Sequence, residues 1–217
     1  MIVHPASAAR SVGREPVVLL VAGLAALGVS AIGPRERDTW WLEVAPVLAA
    51  APPLAATARR FPLTPIAYRL VFVHALILVL GAHYTYAQVP LGFWAQELFG
   101  MARNPYDRLG HFAQGFVPAI VTREVLARCT PLRGGWLLFL TTSVVLSISA
   151  AYELIEWRVA RLYGAGADSF LGTQGDPWDT QWDMFLALAG ALLAQLLLAR
   201  RHDRQIGFLG EGHARER

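Results

Sequence analysis

Lysine is absent from the chain, cysteine occurs once, and charged residues make up only 16% of its 217 positions. A soluble domain carries about 25% charged and about 45–50% apolar residues. The apolar share here is 55%, so the composition predicts a membrane chain. The lone Cys129 excludes an internal disulfide and any multi-cysteine zinc or iron–sulfur cluster within one subunit. All 19 basic residues are Arg, against 16 acids. That excess is too small and too scattered for a nucleic-acid partner. The sequence also lacks a nucleophile elbow, a phosphate-binding glycine loop, a nucleotide fingerprint and a zinc-protease helix. Paired glycine-interrupted half-helices, the mark of inverted-repeat transporters, are missing too.

What remains is a series of apolar runs. A bilayer core needs roughly 20 mostly apolar residues per helix. Six segments qualify: Val17–Ile32, Trp41–Ala58, Ile66–Tyr86, Tyr106–Cys129, Trp136–Trp157 and Trp182–Ala199. Gly33-Pro34 closes the first, and Pro52-Pro53 interrupts the second. The fourth is the least apolar, yet Phe112, Phe116, Val117, Ile120 and Val121 recur at helical spacing. The reading is an all-α polytopic membrane protein, a bundle of about six transmembrane helices. Residues 1–15 form a cytosolic segment, 16–200 the transmembrane domain and 201–217 a mobile cytosolic tail.

Arg positions set the orientation, because cytoplasmic flanks retain positive charge. With the N-terminus inside, Arg10, Arg14, Arg59, Arg60, Arg128, Arg133, Arg200, Arg201 and Arg204 join the C-terminal Arg215 and Arg217 in the cytosol. The opposite flanks hold only Arg35, Arg37, Arg103, Arg108, Arg158 and Arg161. Both termini are therefore expected in the cytosol. A cleaved leader is the competing reading of the first run, since Val29-Ser30-Ala31 resembles a small-residue cleavage site. Most of the tryptophans then fall near the outer face, with Phe93–Phe99 as a short amphipathic helix along it.

Ionisable groups inside spans cost several kcal/mol unless paired, hydrated or coordinated. Here they cluster at the outer ends of three spans. Asp107 and His111, four apart, share a helical face, with Gln114 about one turn further on. Glu153 and Glu156 share a face at the end of the fifth span, and Asp179 and Asp183 open the sixth. Several acids that close together cannot all stay ionised without a cation or shared protons. Arg108 and Arg158 are one source of positive charge, and would make the cluster a set of ion pairs locking helix ends. The other is a divalent metal ion held by Asp107, His111, Glu153 and Asp183, with Glu156 and Asp179 as acid–base groups. One imidazole with hard carboxylates suits Mg²⁺, Mn²⁺, Fe²⁺ or Zn²⁺.

The loop before the sixth span is glycine-rich. Thr173 and Gln174 are expected to fold over the cluster as a lid, and Asp176 to cap the helix that follows. His83 is a candidate second imidazole, and Glu43 a candidate extra acid. His74 reads as a packing residue, and Arg123 and Glu124 as a locally paired or snorkelling pair.

Three blocks carry a family resemblance: Tyr106-Asp107-Arg108-Leu109-Gly110-His111-Phe112-Ala113-Gln114-Gly115, Tyr152-Glu153-Leu154-Ile155-Glu156-Trp157, and the stretch from Phe170 to Met184. Together they resemble the YjdF family of bacterial inner-membrane proteins, a family of unknown function. More distantly, Asp107, His111, Glu153, Asp183 and Gly190 are similar in placement to the VanZ-like membrane proteins linked to glycopeptide resistance, with Ala187 where that pattern carries Asn. The resemblance implies a multi-pass protein of the bacterial inner membrane.

The residues themselves point to membrane lipids as partners and to metal-assisted hydrolysis or group transfer on an envelope lipid. The alternatives are a non-enzymatic, VanZ-like envelope binding protein and a proton- or cation-coupled transporter.

Overall fold

The computed structural model describes residues 13–164 and 168–215. Residues 1–12 of the expected N-terminal segment, 165–167 of the glycine-rich loop and 216–217 of the expected tail lie outside the described residues. The elements run α1 (Arg14–Ser30), α2 (Arg37–Thr57), α3 (Pro65–Tyr84), a 3-10 turn (Tyr86–Gln88), α4 (Pro90–Phe99), α5 (Tyr106–Cys129), α6 (Gly134–Tyr163), the single turn α7 (Asp168–Leu171) and α8 (Asp179–Arg215). No strand occurs among the described residues.

Each of the six expected runs is a helix. Three of them, in α3, α6 and α8, are long and apolar enough to cross a bilayer on their own composition. α1 is a little short, α2 carries internal prolines, and α5 carries charge. The helices form a bundle whose members alternate in direction. The starts of α2, α5 and α8 lie with the ends of α1, α3 and α6 around Asp107, and the opposite ends gather around Glu124. Pro46, Pro52 and Pro53 sit within α2 without ending it. Each removes one backbone bond, and the flanking turns carry the helix across.

α5 and α8 run side by side in the same direction and form the closest helix pair in the bundle. The reason is side-chain size. Gly115, Ala119, Ala187, Gly190, Ala191 and Ala194 recur at three- and four-residue spacing along the seam. A Cβ on Gly115 would strike the carbonyl of Ala187, and one on Gly190 would strike the carbonyl of Phe112 and lie 2.8 Å from the Phe116 amide nitrogen. Ala187 is wholly buried there, which leaves no room for a larger polar residue. This seam fixes the site above it. His111 lies one turn before Gly115 and Asp183 one turn before Ala187, so backbone contact at the glycines brings the two polar residues face to face.

At the other end a second polar group is fully satisfied. Glu124, 0% exposed, accepts hydrogen bonds from the Thr64 amide (2.9 Å) and hydroxyl (2.7 Å) and from Arg128 (2.8 Å), and lies 3.0 Å from Nε2 of the equally buried His202. Arg123 donates to both carboxylate oxygens of Asp203 (2.8 and 3.1 Å), and Gln205 accepts from the Ile66 amide at 3.1 Å. These ties explain a difference in helix length. The Ala–Leu run ends at Ala199, but α8 continues to Arg215, because His202, Asp203 and Gln205 fasten it to α5 and α3. Residues 202–205, which the sequence assigns to a mobile tail, are part of the bundle.

Candidate functional site

The start of α5, the end of α6 and the start of α8 bring the expected acids and imidazole together. On α5, the four-residue spacing of Asp107 and His111 places His111 Nε2 3.5 Å from Asp107 Oδ1. From α8, Asp183 Oδ2 lies 3.8 Å from the same nitrogen. From α6, Glu153 Oε1 lies 3.7 Å from the other ring nitrogen, Nδ1. Ligand atoms of Asp107, His111 and Asp183 all fall within 4.8 Å of one another, and all three residues are buried. The imidazole also meets the Tyr152 ring edge-on, with centroids 6.3 Å apart.

Charge in this cluster is unbalanced. Asp107, Glu153, Glu156 and Asp183 are buried, and Glu43, only 2% exposed, joins Asp107 and Glu156 in lining one cavity. Asp107 Oδ2, Asp183 Oδ1, Glu153 Oε1 and His111 Nδ1 have no hydrogen-bond partner among the described residues. Native proteins rarely leave buried polar atoms so, because each costs about 1–3 kcal/mol, and more when charged. Five carboxylates around one imidazole therefore fit a cation, and the donor set of one nitrogen with hard oxygens suits Mg²⁺, Mn²⁺, Fe²⁺ or Zn²⁺.

The arginines take the rim. Arg103 Nη2 lies 2.5 Å from Asp179 Oδ1, and Arg108 Nη2 lies 3.1 Å from Asp176 Oδ2. Arg108 also stands over the Trp182 ring at 5.5 Å. Arg158, expected to share this task, is instead exposed on α6. A guanidinium sits on Asp179, whereas Glu156, in the cavity wall, has no arginine against it among the described residues. Gln114 lines the same cavity below His111.

The loop before α8 lies over the cluster. Gly172 has φ +62°, and a Cβ there would sit 3.3 Å from Asp107 Cγ, so only glycine meets both the backbone angle and the close approach. The Thr173 carbonyl accepts from Arg103 Nη1 at 2.5 Å. The Gln174 side chain is held both ways by Asn104, whose amide donates to Oε1 at 3.0 Å and whose carbonyl accepts from Nε2 at 2.9 Å. Asp176 does not cap α8 directly. Its Oδ1 accepts from the Trp178 amide at 2.9 Å, turning the chain just before the helix begins at Asp179.

His83 lies apart from the cluster, its Nδ1 3.0 Å from the Ser30 carbonyl at the end of α1. His74 faces the cavity in mid-α3, with its Nε2 buried and without a hydrogen-bond partner among the described residues. Sequence reasoning did not single out Tyr152, Tyr86 or the role of Arg103. A signal for Tyr152 was present, since it precedes Glu156 by four residues and shares its helical face.

The cavity encloses about 670 Å³ and is bounded by α1, α2, α3, α5 and α6, within the roughly 300–1,000 Å³ typical of ligand sites. The cluster forms its polar end.

Residues 15–204 match the family described as predicted membrane protein (DUF2238). The chain is similar to the Inner membrane protein YjdF of Escherichia coli (strain K12), with 56% identity over 184 residues, 84% of this chain and 87% of that protein. No solved structure matches. Neither match bears on the VanZ-like pattern.

Proposed function

The chain belongs to the YjdF (DUF2238) family of integral inner-membrane proteins, and from that premise we propose that it holds one divalent cation at Asp107, His111 and Asp183 and catalyses hydrolysis or group transfer on the head group of an envelope lipid. One observation carries the reading: three buried side chains from two helices aim ligand atoms within 4.8 Å of one another, and two of them, Asp107 and His111, line the polar end of a mostly apolar cavity. The arginine distribution supports placing this end on the outer side of the membrane.

When bound, the cation neutralises the excess carboxylates and polarises a phosphoryl or acyl oxygen. The chain's own residues do the rest. Glu153, 3.7 Å from Nδ1 of His111, would orient the ring by closing to hydrogen-bond distance, as carboxylates behind ligating histidines do. Glu156 accepts the proton of an attacking water or alcohol as its oxygen bonds to phosphorus or carbon. The bond to the leaving oxygen breaks, and Glu156 gives the proton it took up to that oxygen. Arg103 and Arg108, held by Asp179 and Asp176, close the rim and bring the loop of Thr173 and Gln174 over the reacting groups, limiting access of bulk water.

Glu156→Gln separates binding from turnover. The variant is expected to retain the cation and lose activity by about 10²–10⁴-fold, the usual contribution of a general base. The readout is the lipid profile of cells making the wild type or the variant: a species that changes only with the wild type supports the reading, and identical profiles overturn it. A second reading, a non-enzymatic envelope binding protein, is favoured by the ready-made pairs of Arg103 with Asp179 and Arg108 with Asp176. On that reading Glu156→Gln leaves every lipid unchanged.

A further inference from the structure

The cavity extends far beyond the cluster. On α5 its lining runs from Asp107 to Thr122, fifteen residues, which at 1.5 Å per residue is about 22 Å. Half the hydrocarbon core of a bilayer is about 15 Å, so a cavity that starts at one membrane face passes the midplane. Past Gln114 its walls include Val117 and Val121 from α5, Val47, Ala51 and Leu54 from α2, and Ala75 from α3. His74, Thr57 and Thr122 interrupt a lining that is otherwise apolar over this stretch and offers water few partners.

One side of this cavity is not sealed by helix packing. α2 packs on α3 and on the α7 turn but makes no extensive contact with α5 or α6, although all three line the cavity. At the polar end the α7 turn packs on both α2 and α6, and below it the two helices line the cavity without extensive mutual contact among the described residues. The polar end, meanwhile, presents the carboxylates of Asp107 and Glu43, 7% and 2% exposed, and Asp107 Oδ2 has no hydrogen-bond partner among the described residues.

We infer that the substrate is a phosphate-headed lipid whose hydrocarbon chain lies in this cavity, having slid in sideways between α2 and α6, with its head at the His111 cluster. This rests on the head-group reading above and adds the location of the chain. An apolar channel continuous with a cation-demanding polar end matches an amphipathic molecule, and the surrounding bilayer supplies one without passage through water. A soluble phosphate would use the cluster and leave the channel unused.

The test uses the full chain in phosphatidylcholine nanodiscs with phosphatidic acid bearing a mid-chain diazirine, and maps photo-adducts by peptide. Adducts are expected on the cavity walls, in residues 47–58 and 71–78, and excess unlabelled long-chain phosphatidic acid is expected to remove them where glycerol phosphate does not. In Ala51→Trp and Ala75→Trp the cavity adducts should fall by about tenfold or more, the effect of excluding two methylenes from apolar surroundings. Binding of Mn²⁺ should not change in either variant. Adducts confined to bilayer-facing side chains such as Phe139 and Leu196, 59% and 76% exposed, or equal displacement by glycerol phosphate, would overturn the inference. Cavity adducts in a wild type that takes up no Mn²⁺ would sustain the chain's location while removing the metal site beneath it.

Discussion

Asp183→Asn is expected to make the protein more stable without divalent metal and much less responsive to it. The reasoning starts from the charge count. Asp183 is 1% exposed, and one of its oxygens has no hydrogen-bond partner among the described residues. In the metal-free protein it stands among Asp107, Glu153, Glu156 and Glu43 with one imidazole between them, so an amide of the same shape relieves like-charge repulsion. With metal present the sign reverses. Saturating ligand at about 100 times its Kd stabilises a folded protein by about 2.7 kcal/mol, and a variant lacking one of three ligands forfeits most of that. Thermal unfolding of detergent-solubilised wild type and variant, with and without Mn²⁺, reads both effects. If the cluster were held only by arginine pairs, Asp183→Asn would respond to Mn²⁺ no differently from the wild type.

Glu124→Ala is expected to cost about 3–5 kcal/mol, the range for removing one partner from a buried charge pair. The glutamate is the common partner of Thr64, Arg128 and His202, so its loss strands two hydrogen-bond donors of Thr64 and leaves the Arg128 charge uncompensated on the Pro62 carbonyl and the Phe61 ring. The damage is specific to that end: the last turns of α8 lose the His202 tie to α5 and keep the Arg123–Asp203 pair, while the seam at Gly115 and Gly190 stays intact. Hydrogen exchange should rise in residues 198–209 well before it rises around Asp183. Glu124→Gln, which keeps the shape and part of the bonding, should cost less than half as much. Equal exchange throughout α8 in the alanine variant would show that the network does not anchor the helix.

How much of this was legible in the chain depends on the element. α5 has the bounds its sequence suggests, Tyr106–Cys129, because Asn104-Pro105 precedes it and Thr130-Pro131 follows it, and both prolines disfavour helix at the residue before. The far end of α8 was not legible. Hydropathy falls at Arg200, and nothing local says that His202 will be buried on Glu124, a residue 78 positions earlier. Glu124 itself stood out as a carboxylate in a span, and the pairing it demanded was predictable even though the partners were not.

The candidate site divides in the same way. Spacing alone put Asp107 with His111 and Asp179 with Asp183, since residues four apart share a helical face. That three helices would aim these faces at one point followed from alternating spans. Which arginine closes the rim did not, because Arg103 comes from the chain preceding α5 and reaches Asp179 only through the fold. Glu43 and Tyr152 join from elements whose relative rotation is set by packing, which no periodicity reports. The depth of the cavity is a property of how α2 stands off α5 and α6, and is equally silent in the sequence.

The most direct test of the central claim is elemental analysis of the detergent-purified protein and of His111→Ala, followed by Mn²⁺ and Mg²⁺ titration of both. About one divalent ion per wild-type chain, lost in the variant with the helical content unchanged, is the expected result for a site with one imidazole ligand. A wild type that carries no metal and takes up neither ion, or a variant that binds as well as the wild type, would contradict it.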